Sequence, residues 1–152
     1  MISRRFFLTS GALLGIGAAI PLNALASEPV IYSNSVTGIA INGFDPVAYF
    51  SESKPLEGKG EFSAQWKDAT WYFSSSENRA TFIEAPEKYA PQYGGYCAFA
   101  MNSDAFATTV PEAWSIVDGK LYLNFSKGVR GDWLVDKQEH IVRANDNWAE
   151  KF

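Results

Sequence analysis

The stretch WSIVDGKLYLNFS, residues 114–126, constrains the fold more than any other. Asp118-Gly119 falls between two short runs of alternating or apolar residues. An Asp-Gly pair accepts the left-handed backbone of a two-residue turn, so the runs are expected to form an antiparallel hairpin. FSAQWKDATWYFS, residues 62–74, repeats the design, with Lys67-Asp68 near the turn and aromatic residues on both sides. TGIAINGFDPVAYF, residues 37–50, places Asn42-Gly43 between two further apolar runs and predicts a third hairpin. Residues 27–36 form a polar leader, and SESKPLEGKGE, residues 51–61, is a loop by composition.

Two helices complete the pattern. Ser74-Ser75-Ser76-Glu77 puts a glutamate three places after a serine, the capping-box arrangement. The helix it opens carries Ala80, Phe82 and Ile83 and stops before Pro86, with a further helical turn over PEKYA. From Lys127 to Lys151 the spacing predicts one long helix. At about 100° per residue, Trp133, Leu134, Lys137, Ile141, Ala144 and Trp148 fall on one face, with Lys137 reaching out of the stripe. The fold class is therefore α+β: a small single domain of antiparallel hairpins packed against a short helix and a long C-terminal helix.

The first 26 residues are expected to stand apart from that domain. Arg4-Arg5 precedes an apolar run from Phe6 to Ile20, Pro21 breaks it, and Ala24-Leu25-Ala26 supplies a small-x-small cleavage pattern. The run is shorter than the roughly 20 apolar residues of a membrane span and is rich in glycine, so residues 1–26 read as a signal peptide. Ser3-Arg4-Arg5-Phe6-Phe7-Leu8 fits the twin-arginine export pattern, with an ordinary secretory signal as the alternative. The expected location is periplasmic, with residues 27–152 as the mature domain and no stable membrane insertion once the signal is removed. Cleavage takes two of the thirteen basic residues and none of the seventeen acidic ones, leaving a net charge of −6. That balance excludes nucleic acid and anionic membrane surfaces as partners. One cysteine cannot close an internal disulfide, so stability must come from packing, to which all five tryptophans contribute.

The chain carries no G-x-S-x-G elbow, no phosphate-cradling loop and no C-x-x-C pair, and Gly94-Gly95 is too short a feature to cradle anything. Chemistry therefore narrows to Cys97 and His140. Cys97 is a buried small hydrophobe, a nucleophile or a soft metal ligand. Met101 lies four residues on and, in a helix, shares its face. His140 falls about 20° from Trp133 on the edge of the apolar stripe, where it either bonds a carbonyl or serves as a ligand or acid–base group. Thiolate, thioether and imidazole together suit Cu(I). The aromatic residues Trp66, Trp71, Tyr72, Phe73, Tyr89, Tyr93, Tyr96 and Phe99 form either core or the lining of a ligand pocket.

DPVAYF and TWYFSSSENRATFIEAPEKY together resemble the YHS domain, a small domain found in or beside heavy-metal transporters and some oxygenases. Asp45, Pro46 and Val47 match its opening; Tyr72, Phe73, Ser75, Phe82 and Pro86-Glu87-Lys88-Tyr89 match its later part. The layout beyond, with GGYCAFAM and WSIVDGKLYLN, is similar to the exported single-domain branch of that family. The resemblance implies the fold and an association with metal. It also places the family's metal-binding cysteines at Ala48, Ser74 and Asn78, none of which supplies a thiolate. Three functions follow as expectations. The first is non-enzymatic binding of a soft metal, copper or zinc, through Cys97 with His140 and Met101. The second is thiol-based redox or enzymatic chemistry by Cys97 with His140. The third is a domain without its ancestral site that binds a small ligand or a protein.

Overall fold

A computed structural model describes residues 28–152; the expected signal peptide lies outside the described residues. In chain order the elements are α1 (Ala48–Ser51), β1 (Lys59–Trp66), β2 (Ala69–Phe73), α2 (Ser76–Glu84), α3 (Pro86–Tyr89), α4 (Ala98–Asn102), β3 (Trp114–Val117), β4 (Lys120–Leu123), α5 (Lys127–Val135) and α6 (Lys137–Lys151). They form a small α+β domain, with β1–β2 and β3–β4 as two antiparallel hairpins. Both turns use positive φ at both central residues, 49° and 60° at Lys67-Asp68 and 51° and 73° at Asp118-Gly119. That backbone matches the twist of the strands it joins.

The strand faces decide where the core lies. On β2 the alternate residues Ala69, Trp71 and Phe73 are buried, against Phe82 of α2. On β4, Leu121 and Leu123 enter that same core, while Tyr122 between them points into a second one with Tyr93, Ala98, Met101, Trp133 and Ala144. Successive side chains on a strand take opposite faces, so β4 is the wall between the two interiors. Ser75 caps α2 by accepting from the Asn78 N–H at 3.1 Å, and Ser126 caps α5 by accepting from the Val129 N–H at 3.1 Å.

Two expectations are corrected. Asn42-Gly43 does turn, with Asn42 at φ 58°, but it lies in a short 3₁₀ turn and joins no hairpin. The run before it bonds to β2 instead, through Ala40 N–H to Thr70 O at 2.9 Å. The run after it becomes α1, because Asp45 Oδ1 accepts from the Val47 and Ala48 N–H groups at 2.8 and 3.3 Å and so starts a helix. The C-terminal segment is two helices, broken at Asp136 (φ −126°, ψ 45°). At that elbow the Trp133 carbonyl faces Nδ1 of His140 at 2.9 Å, and Val135 stands 78% exposed on the outside of the bend. A side chain satisfies one of the carbonyls that a helix end leaves open, and this makes the break stable.

Candidate functional site

The three positions that the resemblance equates with cysteines surround one carboxylate. Asp45 is 0% exposed. Its Oδ1 accepts the N–H groups of Val47 and Ala48. Its Oδ2 accepts the Ser74 N–H at 2.8 Å, the Ser74 hydroxyl at 2.7 Å and the Asn78 Nδ2 at 2.7 Å. Ser74 directly follows β2 and Asn78 sits in the first turn of α2, so one side chain joins α1, the end of β2 and α2. A carboxylate offers about four lone-pair positions, and five donors saturate them. Among the described residues Asp45 has no ion-pair partner; its charge is held by hydrogen bonds alone. The neighbouring Tyr49, also buried, has its phenol pushed well above the usual range, first by burial and then by Glu112 and Asp45.

Cys97 occupies the cap position before α4 and is 1% exposed. Its sulfur accepts the Phe125 N–H at 3.3 Å, and its thiol lies 3.6 Å from Asn124 Oδ1 as donor. Both of its weak hydrogen-bonding capacities are therefore used. Asn124 Oδ1 also accepts the Phe99 N–H at 3.1 Å. Met101 is fully buried in the second core, one helical turn on, its N–H bonded to the Cys97 carbonyl at 3.0 Å.

His140 is half-buried. A carbonyl oxygen only accepts, so the contact with Trp133 O places a proton on Nδ1. Its ring meets Phe99 edge-on with centroids 5.1 Å apart. Phe99 thus contacts His140 through its ring and the partner of Cys97 through its N–H. Among the described residues no hydrogen bond joins Cys97 to His140, and no group of three or more His, Cys, Asp or Glu side chains could hold a metal ion. Of the aromatic residues singled out, Trp71 and Phe73 are core, with Trp66 and Tyr89 packed on them.

Two features escaped the sequence. The Asp45 network involves residues 29 and 33 positions apart, and no local pattern announces such a meeting. Gly94 is the second. At φ 61° its missing Cβ would lie 1.8 Å from the Val30 carbonyl oxygen, and the Gly94 carbonyl accepts the Tyr32 N–H at 2.9 Å. The glycine pair does cradle something: the chain's own N-terminal segment. The available signal was the glycine pair itself, since glycine is also used where backbone must approach backbone closely. Tyr96 adds a bond from its hydroxyl to the Pro29 carbonyl at 3.0 Å, and its phenol is pushed up to about 12, first by burial and then by Glu28 and Tyr32.

Comparison of the chain with protein-family models, with curated proteins and with solved structures returned no match. Among the described residues no helix is long and apolar enough to cross a membrane.

Proposed function

We propose that this chain is an exported, non-enzymatic YHS-like domain that binds a small ligand or a partner and no longer coordinates metal at the ancestral position. The observation that carries this reading is the Asp45 network. Ala48, Ser74 and Asn78 meet around one point, as positions of a former ligand set would. The group at that point is a carboxylate whose lone pairs are already occupied by hydrogen bonds. Hydroxyl and amide groups are poor ligands for soft ions. Thiol chemistry at Cys97 is disfavoured by the same kind of observation: its sulfur is buried and hydrogen-bonded, whereas reactive thiolates sit in partly exposed, electropositive surroundings.

The test is metal retention. The wild-type protein, loaded with Cu(I) or Zn(II) and passed over a chelating resin, is expected to emerge without metal. The triple variant Ala48→Cys, Ser74→Cys, Asn78→Cys is expected to retain a stoichiometric ion. Retention by the wild type that disappears in Cys97→Ser would overturn the reading and restore soft-metal binding through Cys97, Met101 and His140.

A further inference from the structure

A cleft of about 740 Å³ opens between the N-terminal segment, the β1–β2 turn and the end of α6. It shares no lining residue with the Asp45 network. Its volume falls within the range of small-molecule sites, about 300–1,000 Å³. The walls are of two kinds. Trp148 and Phe152 supply aromatic side chains, their ring centroids 4.5 Å apart, and Pro29 and Val30 add apolar ones. Glu28 and Asp68 are the acidic residues of the lining. Among the described residues neither carboxylate has an ion-pair partner.

The one basic side chain of the lining is turned away from them. The Lys67 ammonium sits over the Trp66 ring at 4.5 Å and lies 3.8 Å from Glu87 Oε1. Neither Trp66 nor Glu87 lines this cleft, so the lysine charge is turned toward a neighbouring hollow. The lining thus combines two acidic side chains with two aromatic ones.

We infer that the cleft binds a small organic cation, an alkylated ammonium with a short apolar body. Aromatic faces attract such a cation through their quadrupoles, and carboxylates attract it through charge. An anion would meet the like charges of Glu28 and Asp68. A bare metal ion would find two carboxylates where hard cations take six or more oxygens. A neutral apolar molecule would strip water from the carboxylates without replacing it. The inference rests on the chain being a binding domain, and the two fail separately: metal retention tests the one, cation binding the other.

The experiment is a titration of the purified protein with choline, followed by the indole N–H resonance of Trp148. The control is 3,3-dimethylbutan-1-ol, which has the same shape without the charge. Choline is expected to bind about tenfold more tightly than the alcohol. The double variant Glu28→Gln, Asp68→Asn is expected to lose that preference. Asn tolerates the positive φ of position 68, so the variant keeps the turn. Equal affinity for the two probes, no shift of Trp148 with choline, or a preference that survives the double variant would each overturn the proposal.

Discussion

Two buried residues carry most of what this domain allows its chemistry to be. Asp45→Asn keeps the shape but loses a charge and sets an amide nitrogen against donors. The expected cost is about 2–4 kcal/mol, against about 1 kcal/mol for Ser74→Ala, which removes one of the five bonds. Urea denaturation of the two variants beside wild type measures both, and equal costs would contradict a hub role for the carboxylate. Cys97 is expected to resist iodoacetamide at neutral pH in the native protein and to react promptly in denaturant, because its sulfur reaches solvent only on opening. Cys97 stood out in the sequence as the single thiol, whereas Asp45 appeared there only as the opening of the family-like motif. Their partners were not visible there, because Asn78 and Asn124 meet them through tertiary folding over dozens of residues.

Elements show the same division. The β1–β2 and β3–β4 hairpins, a serine-capped start of α2 and its end before Pro86 followed from local rules. The cap, however, is Ser75 and not Ser74, the serine three places before Glu77, because Ser74 is drawn to Asp45. The Asn42-Gly43 hairpin did not form, because the run before it found a better partner in β2. The break at Asp136 was hidden for a related reason: neither proline nor glycine marks it, and a histidine four places on caps the first helix. His140→Ala is expected to lower stability by about 1 kcal/mol by leaving the Trp133 carbonyl open. His140→Gln, which can still donate, should recover part of that in thermal melts. Gly94→Ala is expected to cost more, about 3 kcal/mol, because its Cβ would collide with backbone. Gly119→Ala, whose Cβ meets open space, should cost about 1 kcal/mol from its φ alone. Increased proteolysis before Tyr32 in the Gly94 variant alone would show that the glycine fastens the N-terminal segment.

At the scale of the molecule, alkaline pH should loosen the same fastening. The Tyr96 phenol is raised from 10.0 to about 12 in the folded state, so between those values the unfolded chain gives up its proton first. Stability from this group is complete below pH 10 and is lost as pH rises through 12. Tyr96→Phe is expected to flatten that decline in melts run from pH 8 upward, and an unchanged slope would remove Tyr96 as its cause. The α+β class was legible because hairpins and helices alternate in separable blocks; the partition into two interiors was not, because only packing tells which face of β4 meets which partner. That partition has a mechanical result. A strand loaded on both sides cannot be peeled from one layer while the other stays intact, so the hairpin 114–123 should act as the domain's keystone. Its central amides should exchange with deuterium only when the whole chain lets go, later than those of either terminus.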